Sequence, residues 1–325
     1  MKMMRRALLS GLPAAAVAAG TAQAAFPDRP IRVIVPYAPG GNVDIVARLL
    51  GPGLSSRLGQ PVVVENRPGA GGGVGADAVV RARPDGTTLL AGSNGPLTVS
   101  PVLQANLTYD PLRDLAPIAM ASRVPLALVV KRDLPARRLA ELVALSKSRP
   151  DRLGFASTGI GTVTHLTLER FKAATGANLL HVPYRGGGSV GADVISGVVD
   201  GAVFELNTAL PMHRSGDARI LAVASTHRSP LLPQVETFIE GGVPNFTAGS
   251  FVGLLASVGL PADVMESLRA AMVAALAEPA FRTRITEAGG EISAEAEQTS
   301  AGFGEFIRGE LSRTREAAAA AGLTT

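Results

Sequence analysis

Residues 35–50, with the sequence VPYAPGGNVDIVARLL, place an apolar run, a Pro-Gly-Gly break and a helical pattern one directly after another. A helix that begins at Asn42 leaves its first backbone N–H groups unpaired and turns its positive dipole end toward the preceding loop. Gly40 and Gly41 lack the Cβ atoms that would keep a ligand away from those groups. The segment therefore indicates either an anion site built from backbone or a tight turn between a strand and a helix.

A second segment with the same layout lies in the other half of the chain. Residues 153–171 read LGFASTGIGTVTHLTLERF, a short strand followed by Gly159, Gly161 and a helix that opens near Thr162. Its unpaired N–H groups, with the hydroxyls of Ser157, Thr158 and Thr162, are suited to the other end of a small anion or to a second carboxylate. The repetition of the pattern favours a binding site over a simple turn.

The N-terminus has the layout of an export signal. Lys2, Arg5 and Arg6 precede an apolar stretch and the small-residue sequence Ala22-Gln23-Ala24, which predicts a signal peptide over residues 1–24. The general secretory route fits better than the twin-arginine route, because the twin-arginine pattern is incomplete. Removal of the signal leaves 28 basic against 27 acidic residues, a balance that predicts no nucleic-acid partner. The mature chain contains no 18-residue apolar run and no Cys, so we expect no membrane span, disulfide or thiolate metal site.

After the signal, short β-rich runs alternate with helical segments, which predicts an α/β protein with a largely parallel sheet. Strands are expected at 31–37, 61–66, 87–93, 126–130, 153–157, 179–182, 201–205, 219–224 and 251–256. Helices are expected at 42–58, 73–83, 136–148, 162–175, 188–197, 262–277, 280–288 and 299–321. The length of 325 residues suits two domains or one large one.

Two near-motifs keep an enzyme as the alternative. Gly71-x-Gly73-x-x-Ala76 resembles a dinucleotide fingerprint but lacks the tight turn after the strand and the later acidic residue. The segment 91–95 resembles a nucleophile elbow around Ser93, although Pro96 makes the required helix start awkward. An exported oxidoreductase or hydrolase therefore remains open, while Ser93 and Asn94 also suit hydrogen bonds to a ligand. The four His show no metal-like spacing, so we expect no metal site.

In their order and spacing, several stretches of the mature chain resemble the Bug-type solute receptors of tripartite tricarboxylate transporters. They are PDRPIRVIVPYAPGGNVDIVAR, GQPVVVENRPGAGGGVGADAV, ARPDGTTLLAGS, FASTGIGTVTHL, HVPYRGGGSVGADVISGVVDG, LAVAS and LPADV. The resemblance implies a type II periplasmic-binding-protein fold, in which two α/β lobes joined by two crossing strands close on a ligand. Lobe one would comprise residues 25–123 and 249–325, and lobe two residues 124–248.

The resemblance also implies a function. The protein would be a non-catalytic periplasmic monomer without a cofactor, which binds a small carboxylate and delivers it to the membrane subunits of a transporter. Backbone amides and water would hold the ligand in the loops Tyr37 to Asp44 and Ser157 to His165, with Asp44 accepting hydrogen bonds from water or ligand.

Two positions need separate comment. Glu205 stands in a segment that departs from the family pattern, so the identity of the ligand transfers less well. Asp193 matches a family position, and a capping or solvent-facing role fits it equally well. The full candidate set is Tyr37, Gly40, Gly41, Asn42, Asp44, Ser93, Asn94, Ser157, Thr158, Gly161, Thr162, His165, Asp193 and Glu205.

Overall fold

The structure, a computed structural model, describes residues 26–149 and 153–323. The signal peptide expected at residues 1–24 lies outside this part of the chain. Within it, strands and helices alternate as the sequence predicts. The strands are β1 (Ile31–Val35), β2 (Val62–Asn66), β3 (Thr88–Gly92), β4 (Leu115–Lys131), β5 (Gly154–Ser157), β6 (Leu180–Pro183), β7 (Gly201–Glu205), β8 (Ala218–Val223), β9 (Glu236–Thr237), β10 (Gly249–Ser257) and β11 (Glu291–Ile292).

The helices cover the strand edges and faces. They are α1 (Asn42–Leu58), α2 (Gly73–Val80), α3 (Ser100–Leu103), α4 (Pro111–Asp114), α5 (Leu139–Ser148), α6 (Val163–Thr175), α7 (Gly187–Ser196), α8 (Leu206–Arg214), α9 (Ala262–Ala277), α10 (Pro279–Glu287) and α11 (Ser300–Ala320). Short turns of 3₁₀ or π type occupy Ala70–Gly72, Gly95–Val99 and Glu295–Gln298. Within the described ranges, no helix combines the length and apolar character that crossing a membrane requires.

The long strand β4 belongs to two groups of strands. Its residues up to Pro125 pair with β10, which continues through β3 and β1 to β2. Its residues from Leu126 onward pair with β7, which continues through β5 to β6, and on the other side with β8. In each group the pairs β1–β2, β1–β3, β5–β6 and β5–β7 are parallel. The chain therefore passes from one group to the other in β4. It returns just before β10, where the carbonyl oxygen of Ala248 accepts a hydrogen bond from Leu126 N.

Each group of strands has its own apolar core. Helix α1 packs on the first group because its apolar residues recur at helical spacing, as expected, and are buried at Val43, Val46, Ala47, Leu50 and Leu54. The second group carries Phe155, Phe171 and Phe238 in its core, with an edge-to-face contact between Phe171 and Phe238. The two groups of strands thus carry distinct apolar clusters, and β4 runs from one group to the other.

The structure differs from the sequence prediction at strand β4 and at helix α8. Strand β4 starts at Leu115 rather than near 126, because Pro117 and Pro125 hide a strand whose other residues are largely buried. Helix α8 was not expected, since it follows β7 without a loop and contains Pro211. This missed helix matters because its first turn lies at the candidate site.

The contact between β10 and α11 provides a stability prediction. Phe303 is fully buried and meets Phe251 edge-to-face at 6.0 Å between ring centroids. Replacing Phe303 with Ala should lower the free energy of unfolding by about 3–5 kcal/mol, because burial and ring contact are lost and a cavity remains. Val63→Ala, at a side chain 50% exposed on the edge strand β2, should cost less than about 1 kcal/mol. Equal losses for both variants in urea unfolding would contradict the prediction.

Candidate functional site

Three glycine-bounded helix starts define the candidate site. Helix α1 begins at Asn42 after Gly40, whose φ of 85° is natural for glycine. Helix α6 begins at Val163, and the hydroxyl of Thr162 caps it by accepting the N–H of His165 at 3.4 Å. Helix α7 begins at Gly187. Each start presents N–H groups without intrahelical partners, as the sequence pattern predicts for the first two.

The loops before α1 and α7 touch through their backbones. The N–H of Ala38 donates to the carbonyl of Arg185 at 3.3 Å. A Cβ atom on Gly186 would lie 2.8 Å from the Ala38 nitrogen, and one on Gly188 would overlap the carbonyl oxygen of Pro39. Glycine is therefore required at both positions for this close approach, which joins the two groups of strands across the site.

A cavity lies where these helix starts meet. Seven of the residues that the sequence analysis selected line it: Tyr37, Gly41, Asn42, Ser93, Thr158, Thr162 and Glu205. Five further lining residues were not selected: Val43, Gly95, Val163, Gly187 and Ser250. The cavity is thus shared by both groups of strands. Ligand contact for each of these residues stays a prediction.

The wall from the first group of strands is a hydroxyl pair. The hydroxyl of Tyr37 lies 3.0 Å from the Ser93 hydroxyl and 3.4 Å from the carbonyl oxygen of Gly71, to which it donates. Burial raises the pKa of the Tyr37 phenol well above its ordinary value, so this group remains neutral. Ser93 pairs with a phenol rather than with an imidazole, an arrangement that does not activate a serine nucleophile.

Beside this hydroxyl pair, side chains from both groups of strands form a chain of hydrogen bonds near the carboxyl group of Glu205. The side-chain amide of Asn207, in the first turn of α8, donates to Asn42 Oδ1 at 2.7 Å, and Asn42 Nδ2 donates to Ser250 Oγ at 3.4 Å. Glu205, the last residue of β7, lines the cavity beside Ser250, and burial raises the pKa of its carboxyl group. Asn207 escaped the sequence analysis because α8 itself was not expected.

Asp44 has several hydrogen-bond partners within the protein. Its carboxylate accepts hydrogen bonds from Gly40 N at 3.0 Å, from Arg48 at 3.0 Å and from Asn66 Nδ2 at 2.9 Å. Burial raises its pKa, but the Arg48 guanidinium and the two other donors outweigh this and hold the pKa below its ordinary value. Asp44 lies outside the cavity lining and fixes the Gly40 loop, which favours a positioning role, and its expected contact with water or ligand stays a prediction.

The remaining selected residues also lie outside the lining and have protein partners. Asn94 holds β10 by accepting from Phe251 N at 3.1 Å. Gly161 accepts from Ser100 Oγ at 3.3 Å through its carbonyl oxygen, which links the two halves of the chain. Asp193 accepts from the Tyr184 hydroxyl at 2.5 Å, and a role in the cleft stays a prediction. Ser157 lies 2.6 Å from His181 Nε2.

The contribution of α7 was available in the sequence but was not used. The stretch YRGGGSVGAD repeats the pattern of a strand end, glycines and a helix that identified the other two helix starts. Only Asp193 was taken from it, and Gly187 was overlooked. A search for every glycine-bounded helix start would have found this third contributor.

Comparison with known proteins agrees with the arrangement of the site. The family model for receptors of the tripartite tricarboxylate transporter family matches residues 46–323. The chain belongs to this receptor family. The curated protein BugT of Bordetella pertussis is 41% identical to it over 246 residues, which cover 75% of this chain and 76% of BugT.

Solved structures of similar proteins confirm the predicted two-lobe periplasmic-binding-protein fold. MatC from Rhodopseudomonas palustris, solved with bound malate, matches with a TM-score of 0.87 at 32% identity, covering 90% of this chain and 99% of MatC. A second R. palustris protein, solved with adipate, matches with a TM-score of 0.88 at 30% identity, covering 92% of this chain and 99% of that protein.

This family member also has a wider groove of about 770 Å³ next to the cavity. Arg123, Arg170 and Arg313 line it, yet their guanidinium groups already have partners. Arg123 pairs with Glu297, Arg313 pairs with Glu310, and Arg170 lies 4.7 Å from the centroid of the Phe246 ring. The smaller cavity at the helix starts is therefore the better candidate site for a free anion.

Two stacked histidines, His165 in α6 and His181 in β6, lie near the start of α6. His165 stacks on His181 with 4.5 Å between ring centroids. A carboxylate oxygen of Glu169 lies within 4.8 Å of one nitrogen of each ring. The sequence spacing did not reveal this cluster, because His165 and Glu169 lie on α6 and His181 on β6; the expectation of no metal site stays a prediction. Both Glu169 oxygens bind Lys172 Nζ, at 2.9 and 2.8 Å, which favours a hydrogen-bonded cluster over a metal centre. His165, selected for its place on the loop, lies outside the cavity lining.

The histidine pair leads to a prediction about pH. Burial, followed by the neighbouring His165, lowers the pKa of His181 to about 4, below the value of about 6.5 in an unfolded chain. The folded state therefore binds fewer protons, so the stability from this site is present above pH 6.5 and lost as the pH falls toward 4. The unfolding free energy should decrease more over this range in the wild type than in His181→Gln. Parallel pH profiles in urea unfolding would contradict the assignment.

Proposed function

We propose that this protein is a periplasmic solute receptor, which binds a small carboxylate between two lobes and delivers it to membrane subunits of a tripartite tricarboxylate transporter. The observation that carries the proposal is the meeting of three glycine-bounded helix starts at one buried cavity. The malate and adipate found in similar proteins agree with an anionic ligand.

The carboxylate would be held by backbone rather than by cations. Among the described residues, the cavity lining contains no Lys, Arg or His. Each helix N-terminus carries the equivalent of about half a positive charge, and its free N–H groups point at the ligand. The hydroxyls of Ser93, Thr158 and Thr162 add donors around the same space. We assign direct contact to the lining residues, and positioning roles to Asp44 and Asp193.

We further propose that ligand binding closes two lobes. Lobe one would comprise residues 25–123 and 249–325, and lobe two residues 124–248, with β4 as one of the two crossing strands. A ligand can favour closure only through contacts that it makes better in the closed form. Gly41 from one lobe and Gly187 from the other lie on the same cavity, so the closed form supplies such contacts.

A catalytic function is less well supported. Ser93 pairs with Tyr37, and Gly71 packs tightly, because a Cβ added to it would lie 2.7 Å from Ser100 Oγ. Neither contact suits a nucleophile elbow or a dinucleotide-binding turn. We therefore propose a non-catalytic monomer without a cofactor, exported by a signal peptide at residues 1–24.

The receptor function predicts saturable ligand stabilisation without turnover. Small carboxylates such as malate, succinate, adipate and aspartate should be tested by thermal shift and titration calorimetry. A true ligand at 100 times its Kd should stabilise the folded protein by about 2.7 kcal/mol. Hydrolysis of a model ester that Ser93→Ala abolishes would instead support the enzyme.

The close approach at α7 predicts a selective effect on closure. Gly188→Ala should weaken ligand binding about tenfold or more while leaving folding intact, because its Cβ would overlap the Pro39 carbonyl in the closed form. Gly51→Ala is the matched control, since a Cβ there would meet no atom within 4 Å. Calorimetry measures affinity, and small-angle scattering measures whether the ligand still reduces the radius of gyration. Equal affinity and compaction for both variants would contradict the closure model.

A further inference from the structure

One of the buried carboxyl groups in the described part of the chain lacks the ion pair that the others have. Within residues 26–149 and 153–323, the buried acidic side chains are Asp44, Glu205 and Glu236. Asp44 is paired with Arg48, and Glu236 is paired with Arg138. Glu205 is 8% exposed, and the described residues offer it no ion pair. A buried carboxylate without a cation is costly, so this exception needs a physical reason.

The hydrogen bonds around Glu205 present it as an acceptor. Asn42 accepts from Asn207 through Oδ1 and donates from Nδ2 to Ser250 Oγ. Because the Ser250 oxygen receives that bond, its own proton is free to point toward the Glu205 carboxyl group. Burial has the largest influence on this carboxyl group and raises its pKa, while Ser250 and the Glu205 backbone N–H act in the opposite direction and favour the charged form. Ser250 and this N–H leave further acceptor positions of the carboxylate unoccupied, on a side chain that lines the cavity.

The same cavity is arranged for a second negative charge. The starts of α1, α6 and α7 favour an anion, and Tyr37 is the other titratable residue in the described lining. Burial and then the nearby Glu205 keep the pKa of this phenol high, so Tyr37 supplies no counter-charge. A ligand that carries carboxylates alone would bring like charges together in a space with no cation. A ligand that carries its own positive group would remove this conflict.

We propose that the ligand is a small amino acid, whose carboxylate binds at the helix starts and whose ammonium group binds Glu205. This inference rests on the carboxylate-receptor function proposed above. An ammonium group has three donors and a full positive charge, so it satisfies the free acceptor positions of Glu205 and its missing counter-charge together. The ligand thereby supplies to Glu205 what Arg48 supplies to Asp44 and Arg138 supplies to Glu236.

Matched pairs of ligands test the inference on the full mature protein. Titration calorimetry would compare alanine with propionate, aspartate with succinate and glutamate with glutarate, with malate and adipate as further probes. In any pair that binds, the amino member should bind at least tenfold more tightly. In Glu205→Gln this ratio should fall to near one or reverse, because the counter-charge for the ammonium group is gone. Glu295→Gln, which removes an exposed carboxylate far along the chain, should leave the ratio unchanged.

The outcomes separate the two proposals. If the plain carboxylates bind as tightly as their amino partners, or if Glu205→Gln leaves the ratio unchanged, the amino-acid inference is wrong while the receptor function stands. If malate binds most tightly and loses its advantage over succinate in Glu205→Gln, a hydroxyl group is the donor and the ammonium assignment is wrong. If neither these probes nor the wider carboxylate screen gives binding, the receptor function itself fails. Thermal unfolding of Glu205→Gln confirms that a loss of binding is not a loss of folding.

Discussion

The proposed site depends on a single electrostatic constraint: an anionic ligand would be held in a cavity that its described lining supplies with no cation. Backbone N–H groups at helix starts suit this constraint because their dipoles are fixed by the fold and need no reorganisation when a ligand arrives. The neutral Tyr37 phenol and the serine and threonine hydroxyls fit the same logic, since they donate without carrying charge.

Glycine at the site follows from this use of backbone. If N–H groups from α1 and α7 are to approach one ligand, the loops before them have to come within van der Waals contact of each other, and Gly186 and Gly188 permit it. The two crossings of the chain, in β4 and just before β10, connect the separately packed groups of strands. In the closure proposed above, rotation of the groups about these crossings would change the contacts between loops while each apolar core stayed intact. The proposal thereby couples closure and ligand binding through the same few backbone atoms.

Local sequence was sufficient for most of the elements and for two of the helix starts, but it missed α8 and the first half of β4. The bounds expected for α1 were met because the break at Gly40–Gly41 and the apolar spacing both act within a few residues. The role of Asp44 could not be predicted in this way, because it depends on Asn66, which is brought close by the pairing of β1 with β2. The chain from Asn207 through Asn42 to Ser250 joins three distant segments, so only the tertiary fold reveals it. The sequence nevertheless predicted Glu205 as unusual, since it departs from the family pattern.

The treatment of buried carboxylates connects the fold with the ligand. At Asp44 the charge organises the loop before α1, and its partner Arg48 comes from the next turn of the same helix. At Glu236 the charge holds the start of α5, through Arg138 and the N–H of Leu139. Both carboxylates hold a backbone segment in place, and both have their ion-pair partner within the protein. Glu205 ends β7, lines the cavity and holds no such ion pair within the described chain, which is why we propose it as the partner of a donor group on the ligand. If a cation of the protein were paired with Glu205, a donor group on the ligand would add little to binding. Because no such cation is present among the described residues, we propose that the ligand supplies the positive partner.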